Sequence, residues 1–274
     1  MASTRPARNS AAKGDAHMTY PLPNAGHDLS GQVAIVTGAS SGLGARFARV
    51  LAAAGANVAL CARRADRLEV LVAEINASGG RAHAFAIDVA DQAQCTGLAE
   101  RVEAALGPVS ILVNNAGIPD AARAHKVSPE LYNQVMAVNV NAPWLLSTSI
   151  AARRIADGGP LRIINIASMA AFEYNGHGAA LYSMTKAAVV RMTEVLAVEW
   201  ARYPINVNAI APGAFASEMM DGMIGRMGDI TQHFRRKRLG DPAMMDSTLL
   251  FLASPVSEAV TGTVIKIDDG QSNR

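Results

Sequence analysis

The chain has 274 residues, half of them hydrophobic, with 25 Lys or Arg against 23 Asp or Glu and a net charge of +2. That length allows one large α/β domain or two small ones, with apolar content enough for a substantial core. The near-neutral charge gives no reason to expect nucleic acid or a charged membrane surface as a partner, and no apolar run approaches the roughly 20 residues of a bilayer span. Cys61 and Cys95 are too few for a disulfide framework and lack metal-ligand spacing. No metal site and a reducing, cytoplasmic location are expected.

Residues 1 to about 28 are rich in Ala, Ser, Pro and Gly and show no periodicity, so a flexible extension is expected there. Arg5, Arg8 and Lys13 give it a faint transit-peptide composition, which Asp15, Pro21 and Pro23 oppose; a true start at Met18 is the other reading. Val33-Ala34-Ile35-Val36 reads as a strand and runs into Thr37-Gly38-Ala39-Ser40-Ser41-Gly42-Leu43-Gly44, then an amphipathic helix through Phe47, Val50 and Leu51. Strand, glycine turn and helix start together form a phosphate-binding arrangement, with free N–H groups and the positive end of the helix dipole. The Gly-x-x-x-Gly-x-Gly spacing is one residue off the standard dinucleotide fingerprint.

A second strand, Asn57 to Ala62, ends in Arg63-Arg64. In a dinucleotide site this strand end meets the adenosine ribose, where an acid suits NAD and an arginine suits the 2′-phosphate of NADP. No acid stands there, which favours NADP over NAD. The bland alternative makes Arg63 and Arg64 solvated charges at a helix start. A helix from Ala65 to Ala77 follows, then a strand from Ala82 to Ile87 ending at Asp88-Val89. Asp88 could accept from an adenine amino group or cap the next helix. Val109 to Val113 delivers Asn114-Asn115-Ala116-Gly117, whose small and amide side chains can pass close to a cofactor and tie neighbouring strands together. A helix across Leu131 to Ser149 contains Asn139, which is expensive to bury unless its amide is satisfied.

The apolar strand Leu161 to Ala167 leads to Ser168, and a later helix carries Tyr182 and Lys186 one turn apart on one face. A lysine ammonium held close favours the phenolate and lowers the phenol pKa, which makes the pair a tuned proton donor and acceptor. Ile205 to Ile210 is a sixth strand, ending at Ala211-Pro212-Gly213. Met219, Met220, Met223 and Met227 follow; at helical spacing they read as core, or as an adaptable apolar lid over a ligand. Phe234-Arg235-Arg236-Lys237-Arg238 is a solvated basic face, or a dock for a phosphorylated carrier. A helix from Met244 to Leu252 and a strand from Val264 to Ile267 complete an alternating pattern. The expected fold is α/β: a parallel sheet with helices on both faces and no second core between residues 29 and 274.

Thr37 to Gly44, Asp88, Asn114 to Gly117, Asn139, Ser168, Tyr182, Lys186 and Pro212-Gly213 follow one another in an order and spacing that resembles the short-chain dehydrogenase/reductase family, 3-oxoacyl reductases included. The resemblance spans nearly everything from Gly31 to Gly270. It implies a single Rossmann-type, doubly wound domain with a seven-stranded parallel sheet, assembled as a homotetramer or dimer. It implies an oxidoreductase that interconverts a ketone and a secondary alcohol with NADP(H). Tyr182 would be the acid–base residue, Ser168 would hold the substrate oxygen, Lys186 would bind the nicotinamide ribose and Asn139 would support a relay water. Gly38, Ser40, Ser41, Gly42, Leu43 and Gly44 would line the pyrophosphate and ribose, Arg63 and Arg64 the 2′-phosphate, Asp88 and Val89 the adenine. Asn115, Ala116 and Gly117 would flank the ribose; Pro212, Gly213, Phe215 and Ser217 would approach the nicotinamide amide.

Three departures stand out. Ser217 replaces the usual Thr, the Ser168–Tyr182 spacing is one residue longer than the commonest, and Asp269 replaces a common glycine. The longer spacing affects the loop with Glu173, Tyr174, Asn175 and His177, which borders the substrate. The methionines favour a small, apolar carbonyl or alcohol as substrate. The competing readings are an NAD-dependent alcohol, sugar or steroid dehydrogenase, and a non-catalytic NADP-binding sensor on the same fold.

Overall fold

The computed structural model describes residues 23–174, 176 and 178–272; the expected N-terminal extension up to residue 22, the alternative start at Met18, and Asn175 and His177 lie outside the described residues. Seven strands form one parallel sheet: β1 Val33–Thr37, β2 Asn57–Ala62, β3 Arg81–Ala86, β4 Ile111–Asn114, β5 Leu161–Ile166, β6 Ile205–Pro212 and β7 Val264–Ile267. Their order is β3-β2-β1-β4-β5-β6-β7. The order reverses between β1 and β4, so their C-terminal ends diverge into the crevice where open α/β sheets take their ligands. β1, β4, β5 and β6 are buried along their whole length, which explains their near-continuous apolar runs.

Helices α1 Gly42–Ala53, α2 Ala65–Ala77 and α8 Asp246–Ala253 belong to one face of the sheet, where Phe47, Leu51, Leu68, Leu249 and Leu252 fill the core. Helices α3 Gln92–Leu106, α5 Ala142–Asp157 and α6 Ala180–Glu199 cover the other with Leu98, Leu146, Ile150, Val189 and Leu196. Two shorter helices, α4 Pro129–Met136 and α7 Glu218–Met227, border the crevice side.

The helix expected across Leu131 to Ser149 is longer and interrupted. It runs from Pro129 to Asp157 with a π turn at Ala137–Asn141 between α4 and α5. Pro143 explains the interruption, because it has no N–H to offer the Asn139 carbonyl four residues back. This 29-residue run is long enough and apolar enough to cross a bilayer by length and composition alone. Half of its most apolar window is buried inside the domain, as befits a core helix.

Candidate active site

The crevice is built from the turns after β1, β4, β5 and β6. Gly38 and Gly42 have φ of +65° and +53°, the left-handed region that glycine enters without cost. Gly38 and Gly44 also serve close packing. A Cβ on Gly44 would overlap the Gly38 carbonyl oxygen and reach within 2.5 Å of Asn115 Nδ2; one on Gly38 would lie 2.9 Å from the same nitrogen. A Cβ on Gly42 would instead meet the Ser217 side chain at 3.3 Å, so the turns after β1 and β6 face each other across this glycine. Ser41 precedes α1 but does not cap it with its hydroxyl. The first-turn N–H groups of α1 therefore retain capacity for an anion, which fits a dinucleotide pyrophosphate. Leu43 packs partly into the core beneath this turn.

Thr37 is buried and organises the two central strand ends. Its hydroxyl donates to the Val113 carbonyl at 3.3 Å and accepts the N–H groups of Asn115 and Ala116, each at 3.0 Å. Asn115 returns from Nδ2 to the Thr37 carbonyl at 2.9 Å. Its amide thus fastens β4 to β1. Asn114 ties β4 to β5 through a 2.8 Å bond to Asn165 Oδ1, the strand-tying role expected of these amides.

At the end of β2 the two arginines diverge. Arg64 turns into the crevice, donating to Ser40 Oγ at 2.9 Å and Ser41 Oγ at 2.8 Å. Arg63 is exposed and makes no such contact among the described residues. The phosphate contact expected first of Arg63 thus has its geometric candidate in Arg64. Asp88 accepts the Ala90 N–H at 3.0 Å, while the cap of α3 is Asp91, which takes the N–H groups of Ala93 and Gln94. The helix-cap alternative for Asp88 is thereby corrected: it closes a local turn and is half-buried at the crevice rim. Val89 packs partly against the core beside it.

Ser168, Tyr182, Lys186 and Asn139 converge beyond β4 and β5. Lys186 is buried and donates from Nζ to the Ile166 carbonyl at 2.7 Å; the same nitrogen lies 5.6 Å from the centre of the Tyr182 ring. A Cβ on Gly117 would sit 3.5 Å from Lys186 Nζ and 3.6 Å from Asn139 Oδ1, so three of the expected site residues meet at one point. Asn139 is fully engaged: Oδ1 accepts from Ile118 N at 2.9 Å, and Nδ2 donates to the Ile118 carbonyl at 2.9 Å and to Thr185 Oγ1 at 3.1 Å. Ser168 Oγ accepts the Ala170 N–H at 3.1 Å and neighbours the Tyr182 side chain.

Burial dominates the electrostatics of the cluster. Burial holds the Tyr182 phenol above its usual pKa, and the bond to Ser168 is what pulls it back down. Lys186 Nζ, 5.6 Å from the centre of the Tyr182 ring, donates to the Ile166 carbonyl, and burial pushes its own pKa down to about 8.

On the β6 side, Pro212 ends the strand and Gly213 fits against Asp268, where a Cβ would come within 2.9 Å of the backbone. Phe215 places its ring in the core against Gly240. Ser217 caps α7 by accepting the Met220 N–H at 3.3 Å. α7 has no buried residue, with Met219 and Met227 well exposed, so these methionines are not core. Within the basic run, Arg236 and Arg238 both pair with Asp269, at 2.6 and 2.8 Å, which leaves less charge for a phosphorylated carrier.

Several site residues carried no sequence signal. Asp120 is buried and accepts the Leu181 N–H at 3.0 Å, one residue before Tyr182. Gln271 clamps the turn after β6 through both the N–H and the carbonyl of Ala214, at 2.6 and 3.0 Å. Thr37 stood in the glycine turn's own sequence, but its buried hydroxyl gave no sign of three partners.

The chain matches the short chain dehydrogenase family over residues 32–225. It belongs to that family. Among its relatives is gluconate 5-dehydrogenase of Gluconobacter oxydans, 34% identical over 246 residues covering 88% of this chain and 95% of the relative. Galactitol 2-dehydrogenase (L-tagatose-forming) of Cereibacter sphaeroides is 37% identical over 249 residues, with 88% and 95% covered. A blue fluorescent protein from a metagenomic library, solved in complex with NADPH, superposes with a TM-score of 0.83 at 35% identity, covering 90% of this chain and all of that one. This short-chain dehydrogenase is therefore a nicotinamide-dependent oxidoreductase of the ketone–alcohol type, on the single seven-stranded Rossmann-type sheet that the sequence led us to expect.

Proposed function

We propose that the protein reduces a ketone with NADPH, or runs the reverse oxidation with NADP, at the cluster of Ser168, Tyr182 and Lys186. The observation that carries this reading is the convergence of Ser168, the Tyr182 phenol, a buried ammonium and Asn139 beside the glycine-lined crevice. The nicotinamide, when bound, supplies or accepts the hydride. Ser168 holds the substrate oxygen by hydrogen bonding, and Tyr182 gives that oxygen its proton or removes it. Lys186 is placed to hold a ribose hydroxyl and to steady the phenolate. The side chain of Asn139 is saturated, so support for a relay water falls to its backbone carbonyl, which Pro143 deprives of the usual helical partner.

Arg64, backed by Ser40 and Ser41, supports NADP over NAD, as does the NADPH-bound relative. Polyols and sugar acids are the substrate class we favour, after the galactitol and gluconate dehydrogenases. The exposed methionines of α7 favour a second reading, a small apolar carbonyl. A homo-oligomer built on α5 and α6 fits the exposure of Trp144 at 47% and Val198 at 78%. Two buried thiols suit a reducing, cytoplasmic setting. Turnover of a panel of polyols, sugar acids and apolar ketones, each with both cofactors, tests the whole reading. Reduction or oxidation faster with the phosphorylated cofactor supports it. Tight NADPH binding with no turnover of any substrate supports the sensor instead.

A further inference from the structure

Arg64 at the end of β2 and Arg67 in the first turn of α2 already hold an anion that belongs to the chain itself. Glu218, the first residue of α7, pairs through Oε2 with Arg64 Nη1 at 3.1 Å and through Oε1 with Arg67 Nη1. Arg64 and Arg67 lie three residues apart at the start of α2, so their side chains share one face. The carboxylate bridges two guanidinium groups from a helix more than 150 residues away in the chain. An acid in the first turn of a helix is common for dipole reasons alone. That explains why an acid stands at 218, but not why it reaches across the crevice to both arginines.

We infer that Glu218 is an internal counter-anion of the adenosine 2′-phosphate pocket, a specificity-determining residue that opposes NADP binding and leaves NAD binding unaffected. The inference rests on the NADP reading given above. A 2′-phosphate reaching Arg64 must share or replace the partner that Glu218 now provides. It would also bring a charge near −2 close to a carboxylate. An unphosphorylated ribose makes no such demand, and the Glu218 pairs survive it. Because these pairs are half exposed, each is a weak interaction, and the effect on affinity is modest rather than absolute.

The test uses the full chain and compares wild type with Glu218→Gln for binding of NADPH, NADH, adenosine 2′,5′-bisphosphate and AMP. The last two report on the adenosine end without the nicotinamide. Glu218→Gln should tighten NADPH and the bisphosphate by roughly 3- to 10-fold, the scale of one lost like-charge contact near a surface, and leave NADH and AMP unchanged. In an Arg64→Ala background the same substitution should lose most of that gain. An equal change for phosphorylated and unphosphorylated ligands would overturn the inference, as would weaker NADPH binding. The NADP reading fails separately: its failure would show as wild type binding NADH more tightly than NADPH, with Arg64→Ala leaving NADPH unaltered.

Discussion

Lys186 donates from its buried ammonium to the backbone carbonyl of Ile166, 2.7 Å away and two residues ahead of Ser168. The bond fastens α6 to the end of β5, so the elements carrying Tyr182 and Ser168 are held in register by the third member of the cluster. It also commits a charge to a place where burial opposes it, which brings its pKa down from 10.5 to about 8. The folded value is the lower of the two. Between about 8 and 10.5 the unfolded chain therefore holds the extra proton, and stability rises with pH over that window.

Lys186→Met should consequently keep or raise thermal stability at pH 7, and its advantage over wild type should shrink as pH climbs past 8. Turnover should fall by on the order of 100-fold, the usual scale for losing a group that serves proton transfer. Melting curves at several pH values, with activity at each, check both halves. A variant that unfolds many degrees earlier at pH 7 would mean that the bond to Ile166 outweighs the burial of the charge.

Asp120 presents a different prediction. Its two oxygens take the N–H groups of Ala121 and Leu181, and it is 5% exposed. Asp120→Ala would strip a buried acceptor from the start of α6 and should cost about 1–3 kcal/mol of stability. Asp120→Asn keeps one acceptor oxygen but turns its NH2 against the other N–H, so it should recover only part of that loss. Chemical denaturation of the three proteins settles the comparison, and equal loss in both variants would assign the role to charge instead of the hydrogen bond.

The three glycines after β1 look alike in sequence but not in space. Gly44→Ala has no room against Gly38 and Asn115 and should destabilise by roughly 3 kcal/mol or more. Gly42→Ala meets only φ strain and the Ser217 side chain, so about 1–2 kcal/mol is expected. Denaturation midpoints would rank them, and the reverse order would contradict the packing described.

Arg64→Ala should weaken NADPH by roughly 10- to 100-fold, the scale of a charge-assisted contact, and NADH little. Arg63→Ala should change either cofactor far less, since Arg63 is exposed and unengaged. Fluorescence titration of the two variants with both cofactors distinguishes them.

The sheet was legible because β1, β4, β5 and β6 are buried throughout and spell it out in unbroken apolar runs, alternating with helices. Ser168, Tyr182 and Lys186 were legible because strand end and helix pitch are local properties. What sequence could not show are partnerships between distant segments. Asp269 appeared as a missing glycine, yet it holds φ at +50° and binds Arg236 and Arg238. Phe215 packs its buried ring against Gly240, a residue 25 positions on, which no local pattern announces. The choice between Arg63 and Arg64 depended on where Ser40 and Ser41 point, which no spacing rule encodes. The π turn at Asn139 was visible in principle, through Pro143 four residues on.

In the proposed reaction Tyr182 exchanges the proton. Tyr182→Phe removes one oxygen and leaves the ring, so the measurement is steady-state turnover of that variant beside its affinity for NADPH. Normal folding, NADPH binding within about twofold of wild type, and a loss of turnover of 100-fold or more are expected, about the scale of positioned acid–base catalysis. Turnover close to wild type in a folded, NADPH-binding Tyr182→Phe protein would contradict that role.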